Sequence, residues 1–153
     1  MSPGTDYIDM MKGFEGDELK PYLDEAGIPT IGIGATTYIS GNHVTMKDPP
    51  ITENEAVDIL LALTMPNQRL LNTLFVKTVL KQQQNDALLS LIYRIGAPRF
   101  QTSTVLRLAL VNPDDQNIKA AWCMWDKIHK DGQLIFSQGE FNRCLADYKI
   151  YSS

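Results

Sequence analysis

Glu15, Asp24 and Thr30 lie close together near the start of the chain, and their types and spacing suit acid–base chemistry. Glu15 closes a helical pattern that opens at Thr5 or Asp6, carries Ile8, Met11 and Phe14 as its apolar stripe, and stops at Gly16. The negative pole of the helix dipole disfavours an ionised carboxyl group there, which suits a proton donor. Asp24 begins Asp24-Glu25-Ala26-Gly27, which reads as a hairpin tip where solvent favours the carboxylate. Two carboxyl groups in unlike surroundings can divide acid and base roles. Cleaving a glycosidic bond requires such a pair: one acid protonates the leaving oxygen, and one carboxylate handles the water or the developing cation. Taken singly, a Glu near a helix end and an Asp in a turn are ordinary surface residues. The glycine-rich run Thr30–Gly34 lacks the lysine and following helix of a phosphate-binding loop.

The elements that must hold these residues can be read outward from them. From Lys20 to about Val44, glycines are frequent and helical periodicity is lost, which predicts a small antiparallel sheet. Pro49-Pro50 ends it, and Thr52-Glu53-Asn54-Glu55 is a capping box that opens a long helix with Ala56, Ile59, Leu60 and Leu63 on one face. Pro66 is expected to kink or break that helix, after which Leu70, Leu71 and Leu74 resume the pattern. Gln82–Ile95 is apolar around much of its circumference and predicts a buried central helix ended by Gly96 and Pro98. A short helix follows from Ser103 to Leu110. Asn112-Pro113-Asp114-Asp115 predicts a further helix that carries Ile118, Trp122 and Trp125 on one face and His129-Lys130 in its last turn, and stops at Gly132. Ser137-Gln138-Gly139-Glu140 is a second capping box, opening a final helix with Phe141, Leu145 and Tyr148 inward.

These elements make an α+β chain: a sheet-bearing lobe over about 14–60, joined by the long helix to a helical lobe over about 70–153 that also takes the first helix. A single domain with two lobes suits 153 residues. The net charge of −4 offers no basic surface for nucleic acid, and no run is long enough to span a membrane. Residues 1–6 show no export signal, so synthesis in the cytoplasm is expected. Cys123 and Cys144 match no metal or redox spacing and read as free, at least half-buried thiols; His43 and His129 have no nearby ligand partner. Neither cofactor nor metal is expected. Trp122, Trp125, Met10 and Met11 read as core residues.

The segment Glu15-Gly16-x-x-Leu19-x-x-Tyr22-x-Asp24-x-x-Gly27-x-x-Thr30-Ile31-Gly32-x-Gly34 resembles the N-terminal signature of the phage-type lysozymes, glycoside hydrolase family 24. The resemblance continues through Gln84-x-Asp86-Ala87-Leu88-x-Ser90 with Ile95-Gly96, through Phe100-x-x-Ser103-Thr104-Val105-Leu106-Arg107, and through Trp125 and Gly139-x-x-Asn142-Arg143-x-x-x-Asp147-x-x-x-Tyr151. It implies a lysozyme-like fold and an endolysin that cuts peptidoglycan between N-acetylmuramic acid and N-acetylglucosamine. By that resemblance Glu15 is the general acid, and Asp24 and Thr30 hold the attacking water. The family inverts configuration, which sets an expected carboxyl gap of roughly 6.5–9.5 Å. Tyr22, Ile33, Tyr93, Arg94 and Arg143 are the implied substrate-binding residues, with Arg143 reaching toward Glu15. A monomer is implied, released to the periplasmic wall through a membrane lesion made by a separate holin.

The chain departs from the family at four positions. Ala35 stands where histidine is frequent, Arg94 where asparagine or glutamine is usual, Cys144 in place of the second arginine of a pair, and Asp147 in place of a glutamate. Ala35 predicts a changed packing contact, and Arg94 is expected to face the cleft and meet a stem-peptide carboxylate. The intact Glu15, Asp24 and Thr30 favour an active muramidase. The acidic balance and Arg94 favour the alternative, a catalytically silent module that binds glycan or a protein partner.

Overall fold

The computed structural model describes residues 1–153, the side chain of Lys130 excepted. In chain order it contains α1 (Tyr7–Glu15), β1 (Glu18–Leu23), β2 (Pro29–Gly32), α2 (Glu53–Leu74), α3 (Gln82–Ile95), α4 (Ala97–Gln101), α5 (Thr104–Val111), α6 (Ile118–Cys123), β3 (Lys127–Lys130), β4 (Gln133–Phe136) and α7 (Gln138–Tyr151). The class is α+β, with two separate two-stranded sheets, β1-β2 and β3-β4. Contacts gather into two compact units, Thr5–Pro66 and Met1–Gly4 with Asn67–Ser153. The first helix, expected with the helical lobe, therefore groups with the sheet.

In the sheet-bearing unit, Tyr7 and Met11 are buried one turn apart on α1, and Gly16 ends the helix at φ +80° with its N–H on the Lys12 carbonyl. β1 and β2 pair antiparallel through Glu18↔Gly32, Tyr22↔Thr30 and Leu23↔Pro29, with an irregularity between Glu18 and Tyr22. Pro21 falls inside that irregularity and has no N–H to give to a ladder. Beyond β2 the chain folds back at once, through reciprocal backbone hydrogen bonds between Ile31 and Ala35 of 2.9 and 3.0 Å. Ala35 is buried within this turn, so the expected packing role fits its place.

The Thr52–Glu55 capping box is complete: Glu55 N–H donates to Thr52 Oγ1 at 3.2 Å, and Thr52 N–H donates to Glu55 Oε2 at 2.7 Å. α2 then runs without a break past Pro66. The expected interruption does not occur, because the buried stripe Ala56, Ile59, Leu60, Thr64, Gln68 and Leu71 continues on both sides of the proline. Burial of that stripe outweighs the one backbone donor that proline removes.

In the helical unit, α3 is enclosed from Gln84 through Ile92, which is why its apolar residues wrap so much of its surface. Its buried polar side chains are satisfied: Gln68 and Asn85 exchange reciprocal hydrogen bonds of 2.9 and 3.0 Å, and Asp86 accepts Gly4 N–H. Gly96 ends α3, and Pro98 sits in the first turn of α4. Ser103 caps α5.

The largest departure from expectation lies between Asn112 and Phe136. Asn112–Asp115 is a turn, with Asp114 N–H on Asn112 Oδ1, and the helix that follows is only α6. Residues 127–136 are not its continuation but a hairpin with pairs Lys127↔Phe136, Ile128↔Ile135, His129↔Leu134 and Lys130↔Gln133. Asp131 and Gly132 form its tip at φ +51° and +76°. An Asp-Gly pair between β-branched and aromatic residues is a strong hairpin signal, because a two-residue reversal needs both residues at positive φ. Trp122 is fully buried beside Tyr151 at 5.1 Å between ring centroids, whereas Trp125 is only half-buried. The inward face of α7 is Cys144, Asp147 and Tyr151, not the expected Phe141, Leu145 and Tyr148; Leu145 is exposed.

Candidate active site

The carboxylates singled out in the sequence are both carried by the sheet-bearing unit. Glu15 is the last residue of α1, half-buried, and its side chain lies across the backbone of Gly34. A methyl group at Gly34 would stand 2.9 Å from Glu15 Oε2 and 3.0 Å from its Cβ, and Gly34 has φ +70°. Both space and backbone geometry thus require glycine there. The tight Ile31–Ala35 turn is the seat on which the Glu15 side chain rests.

Asp24 organises its own hairpin tip. Its Oδ1 accepts the N–H groups of Ala26 at 2.9 Å and Ile28 at 2.8 Å. Among the described residues no hydrogen bond ties Oδ2, which leaves an acceptor available. Thr30 is 3% exposed, and its hydroxyl donates to the Ile28 carbonyl at 3.0 Å, which leaves the Oγ1 lone pairs as acceptors. Thr30 is the cross-strand partner of Tyr22. The Tyr22 phenol is held above its ordinary range by burial first, then by the negative charges of Glu15, Asp24 and Glu18. Tyr22 is thus surrounded by the carboxylates of this site. Ile33 is 1% exposed, so its side chain belongs to the core.

Tyr93, Arg94 and Arg143 belong to the helical unit. Tyr93 and Arg143 are half-buried on α3 and α7. Arg143 donates from Nη2 to Ser90 Oγ at 3.0 Å and lies 3.5 Å from Asp147 through Nε, and Ser90 donates to Asp147 Oδ1 at 2.9 Å. Asp147 is completely buried; burial pushes its carboxyl group up, against the pull of Arg143 and Arg94.

Arg94 does not face outward as expected. Its side chain is 11% exposed, and Nη1 donates to Glu140 Oε2 at 2.8 Å and to the Trp125 carbonyl at 3.3 Å. The guanidinium also meets Cys144 Sγ at 3.4 Å and approaches Asp147 at 3.6 Å. Burial works against its charge, but Cys144, Asp147 and Glu140 outweigh that and raise its pKa. Its Nη1 and Nη2 donors are committed inside the protein and, among the described residues, Nε is buried without a hydrogen-bond partner, so the guanidinium is turned away from the outward position expected for meeting a stem-peptide carboxylate. The arginine of α3 and the thiol of α7 are therefore read together: the small Cys144 leaves the volume that Arg94 fills.

Sequence reasoning missed the residues that hold others in place. Gly34 was legible only as part of a glycine run, and Ser90 only as part of a helix pattern. Glu140 was read as half of a second capping box. Ser137 does accept Glu140 N–H at 3.3 Å, but the Glu140 carboxylate goes to Arg94. Cys123 and Cys144 are free thiols, both pushed up by burial. Among the described residues no group of three or more His, Cys, Asp or Glu is placed to hold a metal ion.

Known proteins share this arrangement. The phage lysozyme family model matches residues 12–143. The chain is 36% identical over 146 residues to an endolysin of Salmonella phage P22, covering 95% of this chain and 97% of that protein. An endolysin from Escherichia coli O157:H7 phage FAHEc1 superposes with a TM-score of 0.90 at 33% identity, covering 99% of this chain and 93% of the other. A crystal structure of a mutant P22 lysozyme gives a TM-score of 0.79 at 32% identity, covering 100% and 99%. The α+β arrangement described above is thus lysozyme-like.

Proposed function

The chain belongs to the phage lysozyme family, and on that premise we propose that it cuts the β-1,4 bond between N-acetylmuramic acid and N-acetylglucosamine with inversion at the anomeric carbon. It is a glycoside hydrolase of the lysozyme class, an endolysin acting on bacterial peptidoglycan. Glu15 gives its proton to the leaving glycosidic oxygen as the bond to the anomeric carbon breaks. A water held by Asp24 Oδ2 and Thr30 Oγ1 attacks that carbon from the opposite face, and Asp24 takes the water's proton. Tyr22 and the segment through Ile33 border the reacting sugars. Tyr93 and Arg143 contribute binding from the helical unit, and the two units serve as lobes of one domain. Action as a monomer and access to the wall through a separate holin complete the proposal.

One observation supports this reading above the others. Glu15 is seated on the Gly34 turn while Asp24 and Thr30 occupy the adjoining hairpin, with the Tyr22 phenol under the charge of both acids. The test is digestion of purified peptidoglycan, with fragments analysed by mass spectrometry and the first-formed anomer by proton NMR. Hydrolysed reducing ends on muramic acid, released first as the α-anomer by wild type and absent with Glu15→Gln, are expected. Anhydro ends, a β-anomer formed first, or full activity in Glu15→Gln would overturn the assignment.

A further inference from the structure

Ser90 and Asp147 are buried polar residues of the helical unit that the reaction above does not use. α3 supplies Ser90 and Arg94 one turn apart, and α7 supplies Glu140, Arg143 and Asp147 along one face. Asp147 stands between two guanidinium groups: Arg143 Nε is 3.5 Å from Oδ1, and Arg94 Nη2 is 3.6 Å from Oδ2. Glu140 pairs with Arg94 at 2.8 Å. The Ser90 hydroxyl links Asp147 to Arg143, donating to Asp147 Oδ1 at 2.9 Å and accepting from Arg143 Nη2 at 3.0 Å. An ionised carboxylate only accepts, so the single hydroxyl proton of Ser90 goes to Asp147 and its lone pairs are left for Arg143. Each group in this chain sets the direction of the next.

The guanidinium is planar, and Nε and Nη2 share one of its edges. Two anchors on one edge fix the plane of the group, whereas a single bond would let it turn. Charge matters as well as geometry. Arg94 and Arg143 approach the same carboxylate, and without its charge they would repel each other where little water screens them. Stability is a poor reason to keep this carboxylate, because burying an ion pair costs about as much as it returns. Its distinct consequence is the fixed direction of an arginine. The Arg143 side chain keeps 14% of its exposure while Ser90 and Asp147 keep none, so of the three only Arg143 can touch a ligand. We propose that Ser90 and Asp147 are positioning residues for sugar binding, holding the Arg143 guanidinium in the one plane from which it meets the glycan. Arg94 supports them by balancing the second oxygen of Asp147. The inference rests on the reading of Arg143 as a substrate-binding residue and adds to it the two side chains through which it works.

The experiment compares Ser90→Ala, Asp147→Asn, Arg143→Gln and the double variant Ser90→Ala, Arg143→Gln in the full chain. With soluble peptidoglycan fragments, each single variant should raise KM about tenfold and leave kcat within about twofold of wild type. The double variant should be no worse than Arg143→Gln, because Ser90 acts only through that arginine. Nitrogen-15 NMR reads the positioning without activity. The Arg143 Nε–H signal, identified by its loss in Arg143→Gln, should be sharp and slow to exchange in wild type, and broadened in Ser90→Ala and Asp147→Asn. Should Asp147→Asn fail to fold, Ser90→Ala, which removes a single oxygen, decides the matter. A wild-type KM in Ser90→Ala beside a raised KM in Arg143→Gln would overturn the inference. So would effects that multiply in the double variant, or an Arg143 Nε signal unchanged in Ser90→Ala. A wild-type KM in Arg143→Gln would remove that arginine from sugar binding and take the inference with it. A wild type that cuts no glycan would overturn the glycosidase reading alone, and titration of the same spectra with the fragments would then decide the inference through Kd in place of KM.

Discussion

The two hairpins differ in almost everything except strand count. β1–β2 is irregular: it contains Pro21, loses register between Glu18 and Tyr22, and buries Thr30, Ile31 and Gly32 of its second strand. β3–β4 is regular over four consecutive pairs, turns through Asp131-Gly132, and leaves its whole second strand exposed. The proposed catalytic residues therefore sit on the irregular hairpin and not on the regular one. The irregular hairpin is tied down by the Asp24 turn, the Ile31–Ala35 reversal and the Ile51 N–H on the Leu19 carbonyl, and these ties hold polar groups at fixed places. The regular hairpin satisfies its own backbone across four pairs, and its tie to the next helix is the Phe136 ring against Phe141 at 6.0 Å between centroids.

Substitutions can sharpen or break that contrast. The largest effect is expected at Asp24. Asp24→Asn keeps an acceptor for the Ala26 and Ile28 N–H groups, so the fold should hold while kcat falls about 10²–10⁴-fold. Asp24→Ala should lose the same activity and also lower the melting temperature; an active Asp24→Asn would remove this residue from the chemistry. Next is Gly34→Ala, where a β-carbon would collide with the Glu15 side chain. Its kcat should drop by about ten- to a hundredfold with KM little changed, and an unaltered kcat would show that Glu15 does not rest on this turn during the reaction. In the second hairpin, Gly132→Ala meets no neighbour within 4 Å but is held at φ +76°. It should cost about 1–2 kcal/mol of local stability, read by amide exchange across Lys127–Phe136, without changing the cutting of soluble glycan.

The smallest effect concerns the helices that follow the hairpins. Thr52 and Glu55 bond reciprocally at the start of α2, whereas at the start of α7 Glu140 pairs with Arg94 and leaves its cap half made. The Thr52 N–H and hydroxyl hold the Glu55 carboxyl below its ordinary 4.5. A lowered value in the folded state means that the contribution is complete above about pH 4.5 and is lost as pH falls through the folded value. The melting-temperature gap between wild type and Glu55→Gln should therefore be present at neutral pH and close on acidification. A gap that widened in acid would reverse the assignment.

The local structure of the proposed catalytic segment was legible because its requirements are local. A helix end at Glu15, a turn with Asp24 at its head and a strand through Thr30 each depend on residues only a few positions away. The region from Asn112 to Phe136 was misread for the same reason: a strong helix start was extended past the point where Asp131-Gly132 announced a reversal. The role assigned to Arg94 failed on a different ground. Its partners Glu140, Cys144 and Asp147 lie on another helix, and no spacing within α3 could reveal them.

What the sequence by itself determined is the set of chain reversals, helix ends and reactive residue types, since these follow from backbone sterics and hydrogen bonds over a few residues. What only the tertiary structure decided is which side chains are withdrawn from solvent and whom they meet: an unbroken α2 through Pro66, the inward stripe Cys144, Asp147 and Tyr151, and the seat of Glu15 on Gly34. Burial is a property of the assembled chain. Its free energy can override a proline, redirect an arginine and turn a predicted inward leucine out to water, because apolar area removed from water is summed over many distant residues at once.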